Sequence, residues 1–282
     1  MAEPSSNHYY VPPPNAYPVV LNVGLFLLAL GFILKITALA SGVLPMLAGA
    51  ALFLYAAFAW IANVVTENET GRYHRWEDRS FRIGMAFFIF GEIAFFSAFL
   101  LAMMYLRVYS LPTLGSYDPQ FTPWPDFKGV WPSSGPAGKP FTALSPAGLP
   151  TINALLLLAS VVALVWARKG LAIANRGQMI AGLAIAGVIG VVFLFQQAQE
   201  YGHAAELGVT LAGAYGTNFY ALTGLHAVHV VVGLVMFTVL LVRGFLGHFT
   251  AESHFGLDAV SWYWTFAVVI PGWLVYIYFY WL

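Results

Sequence analysis

The sequence predicts an all-α polytopic membrane protein with seven transmembrane helices, and three observations predict it. Of its 282 residues 60% are hydrophobic and only 9% are charged, too little polar surface to cover a soluble core of this size. The apolar residues gather into seven runs, each near the ~20 residues that carry a helix across a bilayer. The runs are continuously apolar, whereas lipid-facing barrel strands would alternate polar and apolar residues over about 10 positions.

In chain order, residues 1–18 are expected to form a mature N-terminal tail. They hold Pro4, Pro12, Pro13, Pro14 and Pro18 and no Lys or Arg, which leaves out the basic region of a signal peptide and the arginines of a mitochondrial presequence. Residues 19–65 predict a two-helix hairpin, with spans at 19–40 and 44–65 and a tight turn at Ser41 and Gly42. A charged segment, 66–80, reads as a cytoplasmic linker and as the best boundary in the chain. Residues 81–282 predict a five-helix bundle, with spans near 81–106, 150–167, 177–199, 217–242 and 258–281. The longest loop, Arg107 to Leu149, carries eight prolines and two tryptophans and reads as ordered and interfacial.

Charge excludes some functions and orients the rest. With 12 basic and 12 acidic residues, no global field points to nucleic acid. The absence of cysteine removes disulfides, thiolate metal sites and iron-sulfur ligation. On the side of the N-terminus lie Arg72, Arg75, Arg79, Arg82, Arg168, Lys169, Arg176 and Arg243; on the other lie Lys35, Arg107, Lys128 and Lys139. Basic residues concentrate in cytoplasmic loops, so the N-terminus is expected inside, with the long loop and the C-terminus outside.

Few residues could carry chemistry. Glu92 stands mid-span in Phe90-Gly91-Glu92-Ile93-Ala94-Phe95-Phe96, where an ionised carboxylate costs several kcal/mol. It is read as a buried intramembrane carboxylate, neutral and hydrogen-bonded to a neighbouring helix. A proton relay is the competing reading, but no second intramembrane acid is available to continue one. His226 and His229, three apart, share a helix face. A haem or metal site would need a facing partner, so helix-helix hydrogen bonding is preferred. Gln196, Gln197, Gln199 and Glu200 at the end of the fifth span read as an interfacial cap or helix contact. Lys35 can snorkel, and Gly182, Ala186 and Gly190 mark a close packing face. Phosphate-cradling loops, a nucleophile elbow and zinc signatures do not occur.

Several segments together resemble subunit III of cytochrome c oxidase. They are Arg82-Ile83-Gly84-Met85 through Gly91-Glu92-Ile93-Ala94-Phe95-Phe96, Asn153-Ala154 through Leu158-Ala159-Ser160, and Trp166-Ala167. Further on come Gln199-Glu200-Tyr201, Tyr215-Gly216, Thr223-Gly224-Leu225-His226-Ala227-Val228-His229-Val230, His248-Phe249-Thr250, His254-Phe255-Gly256 and Trp262-Tyr263-Trp264. The resemblance implies two-helix and five-helix groups around a lipid-filled, V-shaped cleft. It implies a non-catalytic subunit of an aa3-type oxidase of aerobic respiration, bound to subunit I, near subunit II and small subunits. Such a subunit stabilises subunit I and supports its proton uptake. Haem and copper would reside in the partners, with none in this chain. Glu92 falls on the family's buried carboxylate and His226 and His229 on its paired histidines, which are not a metal site. Trp60, Glu67, Arg243, His248 and His254 match residues near its phospholipid site.

Two departures stand out. Where the family commonly has a polar His and Asp after Trp-Tyr-Trp, this chain has Thr265 and Val268, followed by Pro271-Gly272. The family's second helix usually ends in Trp-Trp-Arg-Asp with a following Arg-Glu, and here only Trp60 and Glu67 remain. These departures point to a divergent bacterial branch and the bacterial cytoplasmic membrane rather than the mitochondrial inner membrane. The competing identity is a similar accessory subunit of a quinol oxidase or nitric oxide reductase. Those relatives usually have only the last five helices, and the N-terminal hairpin favours the cytochrome c oxidase type.

Overall fold

The computed structural model describes residues 10–38, 41–250 and 253–281, so positions 1–9 of the N-terminal tail lie outside the described residues. All regular elements among the described residues are helical, and seven spans are long and apolar enough to cross a membrane. The first two are α1 (Tyr17–Ile36) and α2 (Val43–Glu69). The third runs from α3 (Arg75–Tyr105) through a π-turn (Leu106–Ser110) into α4 (Leu111–Gly115). Then come α5 (Leu149–Ala172), α6 (Arg176–Glu206) and α7 (Ala214–Leu246). The seventh is α8 (Phe255–Tyr263), a π-turn (Trp264–Val269) and α9 (Ile270–Tyr280).

The helices overrun the expected spans because hydropathy falls before the backbone stops being helical. Only Thr70–His74 of the 66–80 segment lies between helices. The start of α3 is fixed by Glu77, which accepts from the backbone N–H of His74 at 2.9 Å, the reach-back half of a capping box, and from that of Tyr10 at 2.6 Å. Glu77 and Asp78 also place negative charge in the first turn, where the helix dipole favours it. Likewise α6 continues through Glu206, so Gln197 and Glu200 lie inside a helix and are buried rather than capping it.

The chain divides into two compact units, residues 1–81 and 82–282. In the first, α1 and α2 approach backbone to backbone. A Cβ on Gly49 would lie 2.5 Å from Leu28 N, and one on Gly24 would lie 2.7 Å from Phe53 N. Lipid supplies no hydrophobic drive between helices, so association depends on such close approach.

The second unit has two cores. One gathers Leu157, Leu164, Leu183, Phe193, Phe237 and Tyr263 around Trp264; the other gathers Phe96, Leu100, Tyr215, Phe219 and Phe279. The stripe Gly182, Ala186, Gly190 meets two different neighbours. A Cβ on Gly182 would lie 2.7 Å from Ala167 Cβ, and one on Gly190 would lie 2.8 Å from Trp264 Cη2. Gly233 admits the other side of the same indole, whose Nε1 donates to Ser160 Oγ at 2.7 Å. Trp264 opens the π-turn that precedes Pro271, a residue with no N–H to offer the preceding turn. At the C-terminal end of α7, Gly247 takes a left-handed C-cap and Arg176 Nε donates to Gly244 O at 2.8 Å, so the carbonyls of Arg243 and Gly244 are satisfied. The long loop is tied down: Ala214 N and Tyr215 N donate to Ser134 O and Ser133 O, both at 3.0 Å, and Phe141 stacks on Tyr215.

Candidate functional site

Glu92 on α3 and His229 on α7 meet: Glu92 Oε2 lies 2.8 Å from His229 Nε2. The other ring nitrogen, Nδ1, lies 2.7 Å from Leu225 O. A backbone carbonyl only accepts, so Nδ1 carries a proton and donates it. Two bare acceptors would repel at the Glu92–His229 distance, so one further proton lies between Oε2 and Nε2. The pair is therefore either carboxylic acid with neutral imidazole or carboxylate with imidazolium, and its net charge is zero in both. The side chains are 18% and 15% exposed, so Glu92 is partly rather than fully enclosed. Its α3 neighbours Phe90 and Ile93 point outward, while Phe96 is buried against the ring of His229, centroid to centroid 4.9 Å. Tyr263 completes the setting, donating from its hydroxyl to His229 O at 3.1 Å.

His226 faces away from this pair. It is buried, with Nε2 2.8 Å from Val268 O in the π-turn of the last span. That carbonyl can turn to a side chain because the widened turn disrupts the ordinary helical ladder. The two histidines thus reach different helices, α3 and the seventh span, from one helix. Among the described residues no group of three or more His, Asp or Glu has the arrangement of a metal site. Glu200 is buried on α6, one turn after Gln197, and borders a small cavity with Asn153, Thr223 and His226.

The sequence reading missed Asp258. It lies in the first turn of α8, its side chain 5% exposed, held by Arg82 Nη1 and Arg168 Nη2 at 2.7 Å each and by His254 Nε2 at 3.4 Å. Three elements converge there, α3, α5 and α8, each delivering a charged end. The signal was the spacing His254 to Asp258 at a helix start, with arginines at the same ends of two other spans.

The residues expected near phospholipid divide between the units. In the first, Trp60 is exposed. Glu67 is held by Tyr73 OH at 2.5 Å and by Asn63 Nδ2 at 3.4 Å. In the second, the Arg243 guanidinium lies 4.8 Å over the Phe249 ring, the backbone N–H of His248 donates to Arg243 O at 3.1 Å, and His254 reaches Asp258. Arg243, His248 and His254 thus share the end of the unit that holds Asp258.

A family profile described as "Cytochrome c oxidase subunit III" matches residues 7–282. Cytochrome c oxidase subunit 3 of Osphranter robustus is 32% identical over 276 residues, covering 97% of this chain and 96% of the relative. The subunit 3 of Scyliorhinus canicula is 35% identical over 236 residues, 83% of this chain and 82% of the relative. That of Pongo abelii is 36% identical over 227 residues, 79% and 78%. With all seven spans inside the matched range, this integral membrane chain belongs to the cytochrome c oxidase subunit III family.

Proposed function

We propose that the chain is the non-catalytic subunit III of an aa3-type cytochrome c oxidase, a terminal oxidase of aerobic respiration. The observation that carries this reading is the family match across 7–282, which includes the N-terminal hairpin as well as the five-helix unit. The hairpin also favours it over an accessory subunit of a quinol oxidase or nitric oxide reductase. In this reading the chain binds subunit I directly, neighbours subunit II and small subunits, and leaves haem and copper to those partners. It steadies subunit I and supports proton uptake there; the Glu92–His229 pair, which holds a proton between two facing atoms, is in keeping with that role. A phospholipid headgroup is assigned to the end bearing Arg243, His248 and His254.

The same reading sets the protein in the bacterial cytoplasmic membrane, with the mitochondrial inner membrane as the competing location. Its N-terminus faces the cytoplasm, since eight of twelve basic residues then lie inside. Gentle solubilisation from the source membrane, with identification of co-purifying chains and a visible spectrum, tests the whole proposal. A haem- and copper-bearing partner is expected. Purification with a haem-free complex would overturn it.

A further inference from the structure

Glu92 and Asp258 are held by facing side chains of other helices, whereas a third acid inside the spans keeps one oxygen unpaired. Glu200 on α6 is 4% exposed, and its Oε1 has no hydrogen-bond partner. One turn earlier, buried Gln197 has no partner for Nε2, and buried Asn153 on α5 has none for either Nδ2 or Oδ1. All three residues line one cavity of about 30 Å³, together with Thr223, His226 and Gly272. Two further polar groups of that wall, Thr223 and His226, are engaged. Thr223 donates to Phe219 O at 2.6 Å and accepts from Tyr201 OH at 3.0 Å, and His226 is bound to Val268 O.

Two donors and two acceptors therefore border a single space. Buried polar groups are rarely left unpaired. A water requires about 10–15 Å³ of such volume and typically makes two to four hydrogen bonds, offering two donors and two acceptors of its own. We propose that this cavity is a binding site for one or two buried waters, held by Asn153, Gln197 and Glu200. The site lies within the second unit and is distinct from the Glu92–His229 pair. Gly272 helps to keep its wall open, since a Cβ there would lie 2.5 Å from Leu157 Cδ1 and 2.8 Å from His226 Nε2.

The inference does not depend on the oxidase reading, and its test is a density map of the intact, purified assembly that resolves ordered water. One or two peaks within hydrogen-bonding distance of Asn153, Gln197 and Glu200 are expected. A cavity without such peaks, or side chains turned to pair directly with one another, would overturn the proposal. Asn153→Leu, which removes two of the four groups and keeps the branching and heavy-atom count of the side chain, should lose at least one peak. An unchanged peak set in that variant would also sink it. If that variant fails to assemble, the map of the parent still decides.

Discussion

Asp258 and Glu92 are both acids in spans of the second unit, yet they solve the problem of charge in opposite ways. Asp258 sits in the first turn of a helix, where the dipole favours an anion, and two guanidinium groups bind it from α3 and α5. Glu92 is mid-helix, ten positions from the nearest Arg of its span, and its polar partner among the described residues is an imidazole. At a span end basic side chains can reach an acid while their stems cover apolar surface. At mid-span no such cation is within reach, and the cheaper arrangement is a pair with no net charge. Depth decides whether an acid in this chain belongs to an ion cluster or shares a proton.

The strongest way to break the comparison is Asp258→Ala. The change leaves Arg82 and Arg168 facing each other without their common anion. Losing one member of a buried ion pair costs ~3–5 kcal/mol. The effect should fall near the low end, because the two arginine side chains are 31% and 45% exposed. Thermal unfolding in detergent should show a clearly lowered midpoint. An unchanged midpoint would mean that the cluster is decorative.

Glu92→Ala should cost less, ~1–3 kcal/mol, the penalty for leaving a half-buried His229 Nε2 unpaired. If it destabilised as strongly as Asp258→Ala, the neutral-pair account would be wrong, since the loss would then resemble that of a charge partner. Smaller again is Arg168→Ala. Arg82 remains on the opposite carboxylate oxygen, and a half-exposed ion pair contributes only about 0–1 kcal/mol. Raising the salt concentration should shrink that small difference further, because exposed charges are screened. A salt-independent loss would point to packing by the arginine stem instead.

The depth of Glu92 was legible from the run of apolar residues around it; its partner was not. His229 is 137 positions away, and a one-dimensional pattern carries no information about which helix face turns toward which. The histidine pair was read as helix-helix hydrogen bonding, but spacing could not tell that His226 and His229 serve different helices. Asp258 was passed over because an acid at a hydropathy edge looks like an ordinary solvated end, and only the convergence of Arg82, Arg168 and His254 gives it meaning. The helix ends were drawn short for a related reason: hydropathy reports the hydrocarbon layer, whereas hydrogen-bonding and capping, as by Glu77 before α3, decide where the backbone stops. Pro271 was visible, but the π-turn ahead of it, which brings Val268 O to His226, depends on the packing of Trp264 between Gly190 and Gly233.

The smallest stability effect is expected of Glu92→Gln, and it tests the shared proton most directly. The amide keeps the length of the side chain and can donate to His229 Nε2 while Nδ1 goes on donating to Leu225 O. The pair stays neutral and hydrogen-bonded, so the midpoint should move by less than ~1 kcal/mol equivalent, the scale of a typical net hydrogen bond. What disappears is the titratable proton. Infrared spectra of the protein carrying isotope-labelled glutamate, parent minus Gln variant, should show a protonated carboxyl band near neutral pH if the proton resides on Glu92. A carboxylate band with an imidazolium signature would put it on His229. Either spectrum keeps the pair at zero net charge. A carboxylate band without imidazolium would mean an uncompensated charge at mid-span, and the contrast drawn between Glu92 and Asp258 would fail.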